Sequence, residues 1–139
     1  MTSIGGLIDD PREWSVAQGF IRDMAIKVQS AASQVGTLSG GNQQKVMLSK
    51  WMFTDADVLF LDEPTRGIDV GAKYEVYAII NRLAEQGKGV VMISSELPEL
   101  LGMCDRIVVF AEGRVAGEMP AADADVEKVM QLMTKGSQT

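Results

Sequence analysis

Two adjacent carboxylates, Asp62 and Glu63, directly follow a short apolar run, VLFL at residues 58–61, and precede Pro64. Short continuous apolar runs are typical of buried parallel strands, and α/β folds bind ligands at the carboxyl ends of such strands. At that position one carboxylate can hold Mg²⁺ through water, while the other orients an attacking water. The alternative is that the pair only caps the next turn, and two acids alone do not decide between these interpretations.

A second candidate is the segment LSGGNQQK at residues 38–45, in which a glycine pair stands where a helix is expected to begin. Free backbone amides and the helix dipole make such a helix end attractive to phosphate. Gly40 and Gly41 remove side chains that would block close approach, and Ser39 adds a hydroxyl donor. The alternative is an ordinary serine-capped helix after a glycine turn.

The elements that would position these segments can be predicted from the spacing of apolar residues. Helical spacing predicts helices over residues 14–24, 43–53, 76–83, 98–103 and 126–133, with a loop over 30–37. Continuous apolar runs predict buried parallel strands over 58–61, 89–93 and 107–110, and a Glu112–Gly113 turn leads into an edge strand over 115–119. Strand, helix and strand across residues 58–93 make a βαβ unit, so an α/β fold is predicted.

The composition excludes several classes of protein. The chain has 139 residues with one cysteine and no histidine, so an internal disulfide and a His/Cys zinc site are both excluded, and a reducing cytoplasm suits it. Its net charge of −6 has the wrong sign for a protein that grips nucleic acid. No apolar run approaches the roughly 20 residues of a membrane-spanning helix, and the first residues lack the pattern of a signal peptide. A membrane role is therefore expected to come through another subunit.

The two candidate segments together, in this order, resemble the ATP-binding cassette (ABC) ATPases. LSGGNQQK looks like their signature motif, VLFLDE like their Walker B strand with its catalytic glutamate, and RGID at residues 66–69 like their D-loop. The resemblance continues through Asp105 and the turn at Glu112, so it covers essentially the whole chain. Asn42 in place of the usual glutamine, with PTRGIDVGAK and SSELPELLGMCDRI, is similar to the second cassette of tandem ATPases that drive bacterial ribose, galactose and xylose importers.

The resemblance implies an architecture. It predicts the C-terminal part of a P-loop NTPase fold, with residues 1–50 as a partial helical subdomain that carries the signature. Residues 51–139 would form a partial RecA-like ATPase core that ends in an edge hairpin and a helix. The chain has no G-x-x-x-x-G-K-[ST] segment, and family comparison places that Walker A loop upstream of Met1. A C-terminal portion of a larger protein is therefore expected, inactive when isolated.

The resemblance also implies a role for individual residues. Ser39, Gly40 and Gly41 would contact the γ-phosphate of ATP held by an opposing cassette, so that the signature acts in trans. Asp62 would bind Mg²⁺ through water, and Glu63 would polarise the attacking water as the catalytic residue. The remaining predicted nucleotide-binding residues are Asn42, Gln43, Asp69, which would couple the two sites, and Ser95.

Ser95 departs from the family pattern, which has a histidine at this position after the strand over residues 89–93. A hydroxyl is shorter than an imidazole and carries no positive charge. The departure suggests an asymmetric pair, in which this half lends its signature to a competent partner site while its own site binds nucleotide and turns over poorly. Alternatively, Ser95 caps the helix that begins near Pro98, and both interpretations can hold at once.

The expected function is ATP-driven monosaccharide uptake, with this chain as part of the ATPase. The implied partners are an opposing cassette, transmembrane sugar permease subunits and, indirectly, a periplasmic sugar-binding protein, with no nucleic acid. The implied location is the cytoplasmic face of the bacterial inner membrane, as a peripheral subunit. The alternative is a non-catalytic interaction module that contributes its signature in trans or self-associates. Chromosome-organising ATPases share the motif pair, but they need long heptad repeats that this chain lacks.

Overall fold

The computed structural model describes residues 10–135. Within them, the helices are α1 (Asp10–Asp23), α2 (Gly40–Phe53), α3 (Val70–Glu85), α4 (Leu97–Met103) and α5 (Val126–Lys135). The strands are β1 (Val58–Asp62), β2 (Gly89–Ile93), β3 (Arg106–Ala111) and β4 (Arg114–Pro120), and short 3₁₀ helices cover Val35–Thr37 and Ala121–Asp123. Each helix and strand predicted from apolar spacing is present, and the α/β fold class is confirmed.

The observed boundaries extend the predicted ones because capping residues and turns are not part of an apolar pattern. Helix α2 begins at Gly40, directly after Ser39, whose backbone is extended. Helix α3 begins at Val70 because the Asp69 side chain accepts a hydrogen bond from the Ala72 N–H at 3.0 Å, a typical N-cap. The Glu112–Gly113 turn has φ of 51° and 75°, the two positive values of a tight hairpin turn.

The strands form two separate pairs. Strand β1 pairs with β2, and the bonds from the Gly89 N–H to the Asp57 carbonyl and from the Glu63 N–H to the Ile93 carbonyl advance together along both strands, so this pair is parallel. Strand β3 pairs with β4 in antiparallel register, with an irregularity at Val109 and Phe110. The prediction that β3 is a further parallel strand is therefore wrong within the described residues, because its hydrogen bonds go to the hairpin partner.

The chain divides into two compact units, and the predicted division at residue 50 stays a prediction. Within the described residues, the first unit comprises 10–59 and 65–90, and the second comprises 60–64 and 91–135. In the first, α2 packs on α3, and the buried face of α3 consists of Val76, Ile79, Ile80 and Leu83. In the second, Ile107 and Val109 of β3 pack with Val129 of α5.

Burial on both faces of the strands was predicted and is not observed. Burial alternates along β1, where Leu59 and Leu61 are buried while Phe60 is 71% exposed. The same alternation leaves Phe110 of β3 exposed. Continuous apolar runs predict strands that are covered on both faces, whereas the described residues cover one face. Met130 and Met133 of α5 are also exposed, because the face that Val129 occupies packs on the sheet instead.

Candidate functional site

The N-terminus of α2 is open to solvent. Ser39 and Gly40 are exposed, and the Ser39 side chain makes no capping hydrogen bond to the helix backbone. The first N–H groups of a helix lack intrahelical acceptors, and those of Gly40 and Gly41 have no protein acceptor within residues 10–135. The alternative of an ordinary serine cap is therefore wrong, and this helix end presents free donors of the kind that bind anions.

The side chain of Asn42 links Ser39 to the segment that follows α1. Its Nδ2 donates to the Ser39 Oγ at 2.8 Å, and its Oδ1 accepts from the Lys27 backbone N–H at 2.9 Å. The next residue, Gln43, donates from Nε2 to the Leu38 carbonyl at 2.8 Å. Asn42 and Gln43 were both predicted from the sequence to be nucleotide-binding residues. In the structure their side-chain amides hold the start of α2 in place.

Close packing explains why the signature segment contains two glycines. A Cβ added at Gly41 would lie 2.5 Å from the Cβ of Ala72 in α3, and one added at Gly40 would lie 3.0 Å from Cγ2 of Ile68. Gly41 is buried, so its lack of a side chain serves the contact between α2 and α3. The D-loop segment and the signature segment are thus in direct contact within the first unit.

Lys45 is a buried residue that sequence reasoning did not single out. Only 3% of it is exposed, and its Nζ forms an ion pair with Glu75 and donates to the Ala25 carbonyl at 3.1 Å. Ala25 has a φ of 48°, which non-glycine residues rarely adopt. The signal was present in the sequence, because Lys45 follows Gly41 by one helical turn and precedes Leu48, so it falls on the buried face of α2.

The ion pair is asymmetric, and this predicts unequal effects for its two members. Glu75 is 51% exposed, so water can replace its partner, whereas the Lys45 ammonium is buried. Replacing Glu75 by glutamine is therefore expected to lower the free energy of unfolding by about 1 kcal/mol. Lys45→Met is expected to cost less, because it removes the buried charge itself. Urea titrations of both variants and of the double variant would measure these losses. A larger loss in the free energy of unfolding for Lys45→Met than for Glu75→Gln would contradict this account.

The ion pair also predicts a pH dependence. The hydrogen bond and charge of Lys45 hold the pKa of the Glu75 carboxyl below its ordinary value of 4.5. A carboxyl with a lowered pKa stabilises the fold fully above its ordinary pKa and loses that contribution as the pH falls through the lowered value. The decrease in the free energy of unfolding below pH 4.5 is therefore expected to be smaller in Glu75→Gln than in the unchanged chain. Urea titrations at several pH values would measure this difference.

The predicted acid pair lies in the second unit, at the end of β1. Asp62 is exposed, and Glu63 has a φ of 46°, an uncommon value that is often found at functional sites. The Ser95 backbone N–H donates to Oε1 of Glu63 at 2.9 Å. The structure therefore brings Glu63 and Ser95 together, and the main chain of Ser95 makes the contact.

The N-cap position of α4 is Glu96 and not Ser95, and the Glu96 side chain makes no capping hydrogen bond to this helix; the neighbouring Ser94 instead holds the segment before it. The Ser94 Oγ accepts from the Glu96 N–H at 3.0 Å and donates to the buried carboxylate of Glu99. Ser94 thus organises the start of α4, and the prediction of a Ser95 cap is wrong. Sequence reasoning missed Glu99, although an acid in the first turn of a helix is a common N-terminal signal.

The described residues contain no cluster of three or more acidic, histidine or cysteine side chains that could hold a metal ion. The acid pair Asp62 and Glu63 alone supplies too few ligands for a site built from protein groups, and carboxylates of this kind suit Mg²⁺ that is bound mainly by water and phosphate. Among residues 10–135, no helix combines the length and the apolar character needed to cross a bilayer.

Comparison with known proteins shows what this chain is similar to. The family model described as "ABC transporter" matches residues 9–66. The chain is 58% identical over 129 residues to the L-arabinose transport ATP-binding protein of Geobacillus stearothermophilus, covering 93% of this chain and 25% of that protein. It is 54% identical over 130 residues to the xylose import ATP-binding protein of Geobacillus kaustophilus, covering 94% of this chain and 26% of that protein.

The fold is similar to that of solved cassettes. A dimeric ATP-binding cassette in a post-hydrolysis state bound to ADP and Pi aligns with a TM-score of 0.70 at 22% identity, covering 86% of this chain and 51% of that one. The chain thus spans about a quarter of the curated relatives and about half of a solved cassette. Over nearly its whole length the chain is similar to ATP-binding proteins of bacterial sugar transport and import systems.

Proposed function

We propose that this chain is part of the ATP-binding subunit of a bacterial monosaccharide importer. The observation that carries the proposal is the identity of 58% to an arabinose transport ATP-binding protein, over nearly the whole chain. The exposed N-terminus of α2 and the oriented carboxylate of Glu63 supply the two kinds of group that ATP binding and hydrolysis need. The full-length protein, meaning the gene product that contains these 139 residues, would couple MgATP hydrolysis to uptake through a membrane permease.

The start of α2 would bind the triphosphate held by an opposing cassette. The N–H groups of Gly40 and Gly41 and the hydroxyl of Ser39 are donors, and the phosphate oxygens are acceptors. Close packing against Ala72 keeps this helix end from moving when charge develops on the transferred phosphoryl group. Asp69, as the N-cap of α3, would couple the sites by fixing the helix against which Gly41 packs.

Glu63 would act on the attacking water at its own site. Its Oε1 is held by the Ser95 N–H, which leaves Oε2 as the oxygen that accepts a hydrogen bond from water. Asp62, exposed one residue earlier, would hold Mg²⁺ through water. The metal, when bound, would neutralise charge on the phosphate oxygens. The partners would be a second cassette, a permease and, through it, a periplasmic sugar-binding protein, at the cytoplasmic face of the inner membrane.

A replacement experiment tests the proposal. The matching quarter of the Geobacillus stearothermophilus arabinose transport ATP-binding protein would be exchanged for this chain. The expected result is Mg²⁺-dependent ATP hydrolysis within about threefold of the intact relative and growth of an uptake-deficient strain on arabinose. A hybrid that folds and binds ATP without hydrolysing it would contradict the proposal and favour a non-catalytic interaction module.

A further inference from the structure

The bonds around Ser39 determine where its single hydroxyl hydrogen can go. The Lys27 backbone N–H can only donate, so the Asn42 atom that faces it must be the oxygen, and the Asn42 amide nitrogen must face Ser39. An amide NH₂ can only donate, so the Ser39 Oγ accepts this bond. The Ser39 hydrogen therefore stays free to be donated elsewhere.

We infer that Asn42 is a positioning residue that sets the polarity of Ser39, holding it as a hydrogen-bond donor for a terminal phosphate. The inference rests on the proposed function and adds the mechanism by which one side chain acts through another. Ionised phosphate oxygens accept hydrogen bonds, so a serine helps only when its hydrogen points toward them. The bond from Asn42 also polarises the Ser39 hydroxyl, which strengthens the bond that it donates.

The space beside the pair is consistent with an anionic ligand. Ser39, Asn42 and Lys27 line an open cavity of about 540 Å³. Lys27 is the one charged residue among those that line it within the described part of the chain, and it is a cation. The same lysine fixes the orientation of Asn42 through its main-chain N–H.

A double-mutant cycle in the full-length protein tests the coupling. Ser39→Ala is expected to lower kcat/KM for ATP about 10- to 100-fold, the usual effect of removing a hydrogen bond to a charged group. Asn42→Leu is expected to lower it about fivefold when Ser39 is present and to have no further effect in the Ser39→Ala background. Equal losses from Asn42→Leu in both backgrounds would overturn the inference.

Asn42→Asp tests the hydrogen-bond polarity of Ser39 without breaking the hydrogen bond from the Lys27 N–H. The new carboxylate keeps an oxygen for the Lys27 N–H, but its second oxygen can only accept, so it would take the Ser39 hydrogen away from the phosphate. The expected loss in kcat/KM is at least about tenfold. Gln29→Glu is the matched control, because it adds the same charge to the lining of the same cavity, and its expected loss is below about threefold.

The possible outcomes separate the inference from the function on which it rests. Equal losses in Asn42→Asp and Gln29→Glu would mean that charge alone acts, and they would overturn the inference even if Asn42→Leu failed to fold. An unchanged kcat/KM in Ser39→Ala would instead contradict the proposed role of the signature segment. Thermal melting of each variant shows whether a loss reflects the bond or the fold.

Discussion

Replacing Gly41 by alanine is expected to lower the free energy of unfolding by about 2 kcal/mol and to impair ATP hydrolysis with it. The added Cβ would lie 2.5 Å from the Cβ of Ala72, which has no rotamer with which to move away. Overpacking of this kind costs about 3 kcal/mol, and the better helix propensity of alanine returns about 1 kcal/mol. Urea titration and steady-state ATP hydrolysis would measure the two effects.

A second substitution in α3 provides the control for this prediction. Ala72→Gly removes the other half of the contact, so the variant that combines Gly41→Ala with Ala72→Gly is expected to recover most of the lost stability. Recovery would show that Gly41 is required for packing. If the double variant regained stability but not ATP hydrolysis, glycine at position 41 would be needed for a second reason, which is that phosphate must approach its backbone closely. No recovery of stability would contradict the packing account.

Replacing Glu63 by glutamine in the full-length protein is expected to lower kcat for ATP hydrolysis about 100-fold while leaving ATP affinity unchanged. Glutamine has the same shape and can still accept the hydrogen bond from the Ser95 N–H, so the side chain keeps its position. It loses the negative charge that, under the proposed function, would polarise the attacking water. Steady-state kinetics and an equilibrium titration with ATP would measure the two quantities.

The result for Glu63 also tests the asymmetric pair that the serine at position 95 suggested. Because the main chain of Ser95 holds Glu63, the structure orients the carboxylate whatever side chain stands at position 95. A fall in kcat of less than twofold would contradict a catalytic role for Glu63. It would then favour the asymmetric pair, in which hydrolysis occurs at the site that Ser39 completes.

Apolar spacing predicted the elements of this fold well, because helices and strands bury faces that repeat along the sequence. The pairing of the strands was less predictable, since an apolar run specifies a strand without specifying its partner. Strand β3 was assigned to a parallel set, yet Glu112 and Gly113 reverse the chain and give it an antiparallel neighbour. A local turn thus decided the pairing.

The candidate site likewise has features that the sequence predicted and features that it did not. The residue types of Ser39, Gly40 and Glu63 indicated phosphate chemistry; in the structure Ser39 and Gly40 are exposed, and the Ser95 N–H holds the Glu63 carboxylate. What the sequence could not predict were contacts between distant residues. The bond from the Lys27 main chain to Asn42 and the burial of Lys45 against Glu75 depend on how the segment after α1 and helix α3 meet α2.

The central claim is that the start of α2 recognises the terminal phosphate of ATP. It is tested most directly by comparing how Ser39→Ala changes the affinity of the full-length protein for a non-hydrolysable ATP analogue and for ADP. The account predicts that the dissociation constant for the analogue rises at least about tenfold while that for ADP is unchanged, because only the analogue carries the phosphate that Ser39 would contact. Equal changes for both nucleotides, or no change for either, would contradict it.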